Sequence, residues 1–299
     1  MKKLEEMNLV DDFLTYSLTS HKIYGEEASR YILGCVLQRR IGRLTVVPQR
    51  SWPGEEPGKH GVRMDVYLEE EDGEIFDVEP DNNSGDSEVK ALPRRVRFYH
   101  SKIDAGNLAS GEDYSVLRNV MVVFITTYDP FGYGRMIYTV RNSCTELPEL
   151  SYEDGAKTIF LYTRGTEGNP PKELKQLLRY MEHSTQDNAG SAGLARLHEM
   201  VTEVKRDREV GLAYMKSCEI ERRIREEGKK EGIEKGREQG RTEGKAESLL
   251  LLLSDLGEVP EDMRSRVFSE KDPDVLNSWL RAARRAESME ELVKVIVRS

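Results

Sequence analysis

The sequence predicts a mixed α/β core in roughly its first 180 residues, with helices alone beyond it. Three observations carry that prediction. Helical and strand periodicities alternate along the first part of the chain in the order helix, helix, strand, strand, helix, strand, strand, strand, helix. The run Val120-Met-Val-Val-Phe-Ile-Thr-Thr127 is mostly apolar and of strand length, as in a strand buried on both faces. Past a helix beginning near Pro171, no strand pattern recurs. Composition divides the chain into a core at 1–188, a charged Gly/Glu-rich helical linker at 189–246 and a small helical module at 247–299.

Between Asn8 and about Arg40 the apolar residues follow helical spacing, broken by a polar turn over Ser20–Gly25, so two helices are expected. Pro48–Lys59, rich in Pro and Gly, reads as a loop. A hairpin follows, then a loop over Asn82–Ser87, then a helix over Leu92–Asp104 with Pro93 in its first turn. After the buried strand, Asp129-Pro-Phe-Gly-Tyr-Gly134 is a turn, and Arg135–Val140 and Thr158–Tyr162 are further strands.

The hairpin carries the clearest chemistry. Val62, Met64, Val66 and Leu68 alternate along its first strand, and Phe76 and Val78 along its second. A two-residue turn at Asp72-Gly73 would set Val66 opposite Glu79 and mix apolar with charged side chains. A three-residue turn, Glu71-Asp72-Gly73, with Gly73 in the left-handed position, pairs Leu68 with Phe76 and Val66 with Val78. Because a one-residue slip moves a whole strand's hydrophobes to the other face, burial selects the second register. It sets Asp65 opposite Glu79, with Asp77 and Asp81 on the same face.

Like charges opposed in a sheet cost about 0.2–1 kcal/mol, which a bound cation would offset. Oxygen-only ligands suit Mg2+ or Mn2+, and such an ion can activate water and polarise a phosphodiester. Acids beside a Gly turn also form the solvated face of exposed hairpins, and Glu69, Glu70, Glu71, Asp72 and Glu74 are read that way. Asp65 and Glu79 lie within strands, where acids are depleted. Directly after the hairpin, Lys90, Arg94, Arg95, Arg97 and Lys102 stand against one acid, Asp104, interleaved with Phe98, Tyr99 and His100. Such a patch can grip phosphate, or form a solvated helix face, or pair with the acids themselves. His100 reads as a surface or packing histidine.

In the charged region, glycine recurs at Gly228, Gly232, Gly236, Gly240 and Gly244 among Glu, Lys and Arg. Each glycine costs a helix about 1 kcal/mol relative to alanine, against about 0.2–0.5 kcal/mol returned per i,i+4 ion pair. A long helix that is weakly stable or dependent on association is expected, serving as a tether. Apolar residues return from Ala246 and mark a module of about three helices.

The 299 residues carry a net charge of −9 with 33% charged residues, which excludes a globally basic nucleic-acid coat and confines any DNA contact to a local patch. Cys35, Cys144 and Cys218 lack zinc-site spacing and point to a reducing compartment. No apolar run is long enough to span a bilayer, and Glu5, Glu6, Asp11 and Asp12 occupy the place of a signal peptide's apolar region. A cytoplasmic protein without membrane contact is expected.

Several of these segments together resemble a known family. Asp12-Phe13, Gly61-Val-Arg-Met-Asp65-Val-Tyr, Phe76-Asp-Val-Glu79, Leu92-Pro-Arg-Arg95 with Tyr99, Val123-Phe-Ile125 with Asp129-Pro-Phe-Gly132, and the Glu/Gly-rich tail occur in the order found in the PD-(D/E)XK nuclease family transposases. That family is related to the recombination-promoting nuclease (Rpn) proteins. The similarity spans about residues 8–245, and the terminal module is similar to tails in that group. It implies a restriction-endonuclease-like core, a central mixed sheet flanked by helices, with Asp65 and Glu79 as Mg2+ ligands for DNA cleavage. Two residues after Glu79 the family carries Lys or, usually, Gln to orient the attacking water. Here Asp81 stands there, preceded by Pro80. An ionised Asp81 cannot donate a hydrogen bond. It can act as a third ligand or base, a cation such as Lys90 or Arg94 can take the vacant role, or the site can be inactive.

The expectation is therefore a metal-dependent DNA endonuclease of transposase or recombination-promoting type. Asp65, Glu79 and Asp81 would be its catalytic residues, Arg94, Arg95 and Arg97 its DNA contacts, and the tail its means of self-association. The alternative is a DNA-binding or assembly protein that keeps the fold without turnover.

Overall fold

A computed structural model describes residues 2–48, 50–52, 62–71 and 73–298. The chain divides into two compact units, Met1–Lys216 and Ser217–Ser299. The first is an α/β unit built on a six-stranded mixed sheet.

Helices α1 (Asp12–Thr19) and α2 (Gly25–Leu37) open the chain, separated by the predicted polar turn. Strand β1 (Leu44–Pro48) follows, then the short pair β2 (Ser51–Trp52) and β3 (Val62–Arg63). The hairpin strands β4 (Val66–Glu70) and β5 (Ile75–Asp81) lead to helix α3 (Asp86–Asn107). Strands β6 (Val120–Thr126), β7 (Ile137–Val140) and β8 (Ala156–Tyr162) complete the sheet, in the order β1-β4-β5-β6-β8-β7. Strands β5, β6 and β8 run parallel, and the outer pairings are antiparallel. Helices α4 (Lys172–Glu182) and α5 (Ala192–Arg206) follow.

The predicted hairpin register holds, with Val66 paired to Val78 and Leu68 to Phe76. The Glu70 amide donates to the Glu74 carbonyl at 2.9 Å, and Gly73 has φ of 103°, the left-handed conformation the turn requires. Strand β1 is absent from the sequence reading, because Leu44-Thr-Val-Val47 is too short a run to be told from loop by alternation. The loop expected over Pro48–Lys59 lies mostly outside the described residues, as do Gly61 and Asp72. Met64 departs from the expected face. The strand bends at Asp65, and Met64 packs with Tyr67 and Ile75 instead of with Val66 and Leu68.

Both faces of the sheet are covered. On one, Val66, Leu68, Phe76, Val78, Val123 and Ile125 pack against α1, α2, α4 and α5. On the other, Tyr67, Ile75, Val122 and Phe124 pack against Leu92, Val96 and Ile103 of α3. Helix α5 lends Leu194, Leu197, Met200, Val201 and Val204 to the first core, so this unit extends beyond residue 188. Helix α3 begins earlier than expected. Gly85 starts it with the Val89 amide on its carbonyl at 2.9 Å, and Asp86 and Glu88 in its first turn complement the helix dipole. Pro93 is interior to the helix and exposed, in a solvent-facing stretch where water can satisfy the carbonyl it leaves unpaired.

Helix α6 (Arg208–Leu256) begins in the first unit and continues through the glycine repeat, where an added Cβ at Gly228, Gly232, Gly236, Gly240 or Gly244 would meet nothing within 4 Å. In the second unit its last turns pack with α7 (Glu261–Ser269), α8 (Pro273–Ala283) and α9 (Met289–Arg298) around the fully buried Trp279. Among the described residues, no helix is long and apolar enough to cross a membrane.

Candidate active site

The hairpin's acidic face is the face that α3 covers, and this decides between the two readings of its acids. Side chains at 75, 77, 79 and 81 of β5 alternate onto that side, as does Tyr67 of β4. Asp77 is fully buried, and Glu79 and Asp81 are 6% and 8% exposed. A solvated hairpin face is excluded for these three. Asp65 is half-buried in the bend just before β4, outside the strand in which it was expected, because the chain turns there before pairing begins at Val66. The expectation that all the turn acids are solvated also needs correction at Glu70. That carboxylate is buried because Arg39 donates to it in a two-pronged pair at 3.1 and 2.7 Å and the Gly42 amide donates to it as well. The hydrogen bonds from Arg39 and then the Gly42 amide outweigh the opposing effect of burial and leave its pKa below the ordinary carboxylate value.

Asp65 and Glu79 are brought together as the register requires. The Asp65 main-chain amide donates to Glu79 Oε1 at 2.8 Å. Burial, then the charges of Asp77 and Asp65, push the Glu79 carboxyl well up. Asp77 is pushed up by burial, which outweighs a hydrogen bond with Glu79 that lowers it, and further by the charge of Asp65. No fixed donor reaches either carboxylate oxygen of the buried Asp77, whose hydrogen-bonding neighbour is the Glu79 carboxyl, another acid. A buried carboxyl so placed is costly unless it is protonated or meets a cation.

Two further groups converge here that the sequence reading did not single out for chemistry. Asp12, at the start of α1, is pushed up to about 6 by burial and by the charges of Asp65 and Asp81. Asn82 ties that helix to the strand end, donating to the Val10 carbonyl at 2.9 Å and accepting from Thr127 Oγ1 at 2.9 Å. Tyr99 of α3 faces the same acids, its hydroxyl pushed up by burial and then by Glu79. Helical spacing offers a signal for Tyr99, four residues after Arg95 on one face of α3. For Asp12 the signal is the Asp12-Phe13 pair.

Asp81 lies on the same face at the carboxyl end of β5, with its carboxylate occupied. Arg95 forms an ion pair with Oδ2, Tyr128 Oη donates to Oδ2 at 3.0 Å, and the Asn83 amide donates to Oδ1 at 2.9 Å. The three arginines expected to act together are separated. Arg95 turns inward over Phe124, with Cζ 5.0 Å from the ring centroid. Arg94 and Arg97 share the exposed face of α3 with Lys90. The cation beside Asp81 is thus Arg95, not Lys90 or Arg94. His100 is a packing residue: Nε2 meets Thr158 Oγ1 at 2.9 Å and burial lowers its pKa.

Among the described residues, no group of three or more His, Cys, Asp or Glu side chains is gathered closely enough to form a metal cage. The donor set nonetheless fits Mg2+ or Mn2+. These ions take one or two carboxylates and leave their other positions to water and phosphate. Asp65 and Glu79 are two all-oxygen carboxylate side chains, one Glu79 oxygen accepting from the Asp65 amide, with the Asp77 carboxyl beside Glu79. No family model, curated protein or solved structure matches the chain.

Proposed function

We propose that the chain is a metal-dependent DNA endonuclease with a restriction-endonuclease-like core, of the PD-(D/E)XK transposase or recombination-promoting type, working in the cytoplasm. The observation that carries this reading is the buried group of carboxyls in the second half of β5, with the Asp65 amide bonded to Glu79 and Asp77 packed against Glu79 with no fixed donor of its own. Crevices at the carboxyl ends of parallel strands are where α/β sheets place their ligands, and β5 and β6 end here.

Asp65 and Glu79 would hold Mg2+ or Mn2+. When bound, that ion activates water and polarises the phosphodiester. The Asp65 amide fixes the Glu79 carboxylate, so that its orientation is set before substrate arrives. Asp81 accepts three hydrogen bonds and holds Arg95 against Phe124. The exposed Arg94 and Arg97 suit the phosphate backbone of DNA, which is bound through neutralising charge. The tail, with its open glycine-bearing helix and separate helical unit, is suited to self-association.

One observation favours the alternative of a DNA-binding or assembly protein without turnover. The position expected to orient water carries a carboxylate already committed to Arg95. Plasmid nicking in Mg2+ or Mn2+ separates the two: cleavage that depends on Asp65 supports the endonuclease, and DNA binding without cleavage at any metal concentration supports the alternative.

A further inference from the structure

Arg95 is placed differently from the other basic residues of α3, and its surroundings define a role. Its guanidinium is paired with Asp81 and lies over the Phe124 ring, while Nε is buried with no hydrogen-bond partner. The side chain is 35% exposed. A guanidinium carries five N–H donors in a rigid plane, so the pair with Asp81 leaves donors over. Asp81 is itself held by Tyr128 and by the Asn83 amide, which fixes the position of its partner.

A phosphodiester approaching Arg95 faces the charges of Asp12, Asp65 and Glu79, all negative or potentially so, while Asp77 is fully buried. A cation fixed in advance beside them costs no reorganisation when charge develops on phosphate oxygens, and that is where such groups have the greatest effect. Stability alone gives little reason for the pair. A buried ion pair is often no better than well-packed apolar side chains.

We propose that Arg95 is a catalytic residue that grips the oxygens of the scissile phosphate, and that Asp81 is the positioning residue that aims it. Arg94 and Arg97 bind the backbone away from the cut. This assignment rests on the endonuclease reading.

The test compares the full-length parent with Arg95→Met, Arg95→Lys, Asp81→Asn and Arg97→Met in Mg2+-dependent plasmid nicking, with affinity for a short DNA duplex measured separately in Ca2+. Arg95→Met is expected to lower kcat about 10²–10³-fold, the usual effect of losing one transition-state donor, and to change duplex affinity less than about threefold. Arg95→Lys keeps a point charge and recovers part of that loss, as does free guanidinium ion added to Arg95→Met. Asp81→Asn lowers kcat with Arg95 still present, and Arg97→Met acts on KM and duplex affinity. If Arg95→Met fails to fold by circular dichroism, Arg95→Lys and Asp81→Asn carry the test. Unchanged kcat in the folded Arg95 and Asp81 variants of a nicking parent overturns this assignment and leaves the endonuclease reading standing. A parent that never nicks overturns both.

Discussion

The main-chain amide of Asp65 donates to the carboxylate of Glu79 at 2.8 Å, joining two acids that lie 14 residues apart across the hairpin. The bond fixes Glu79 while leaving its charge unneutralised, in a place where burial and neighbouring acids already oppose ionisation. Glu79→Gln keeps an oxygen to accept from the amide and removes the charge. It is expected to fold, to lose nicking by about 10³-fold, corresponding to the several kcal/mol a Lewis acid supplies, and to melt above the parent near pH 8 without added metal. Thermal denaturation alongside the nicking assay checks both effects.

Asp77 gives a signed dependence on pH. Its folded-state pKa lies above the unfolded one, so its favourable contribution to stability is complete below about pH 4 and is lost as pH rises through the folded value. The loss approaches about 1.4 kcal/mol per pH unit in that window. Asp77→Asn cannot ionise and escapes it. In urea titrations its stability relative to the parent is expected to rise steadily from about pH 4.5 to about pH 7.5. A difference that stays constant with pH would remove Asp77 from the buried acid group.

Divalent cations should stabilise the chain most where the acids must ionise. With Asp12 pushed up to about 6, and Asp77 and Glu79 raised as well, protons compete with metal at about pH 5 and much less at about pH 8. Mg2+ or Mn2+ at a hundred times its Kd adds about 2.7 kcal/mol. The melting temperature is expected to rise more at the higher pH in the parent, and to lose most of that rise in Glu79→Gln.

The exposed arginines of α3 are expected to act through counterion release. Replacing Arg94 and Arg97 together by Met should weaken duplex binding in Ca2+ across sequences and reduce the slope of log affinity against log salt by about 2. Titrations at several salt concentrations read that slope directly.

Much of the fold was legible because the hairpin's hydrophobes admit one register. Val66, Leu68, Phe76 and Val78 share a face under a three-residue turn and not under a two-residue one, and Val120–Thr126 reads as buried throughout. Three things were not legible. Burial of the acidic face depends on α3 lying across it, a tertiary fact that the alternation of Asp65, Asp77 and Glu79 does not contain. Likewise the net charge of the α3 segment gives no sign that Arg95 turns inward while Arg94 and Arg97 face out; only the helix's placement against Phe124 and Asp81 separates them. Strand β1 escaped because its identity comes from pairing with β4, as Val46 does with Leu68, and not from its own short pattern.

The most direct measurement is nicking of supercoiled plasmid by the full chain in Mg2+ or Mn2+, with Asp65→Ala beside it. The parent is expected to nick and the variant to lose that activity while keeping the parent's circular dichroism spectrum. Nicking that survives Asp65→Ala unchanged would contradict the site, and a parent that binds DNA but never cuts it would contradict the activity.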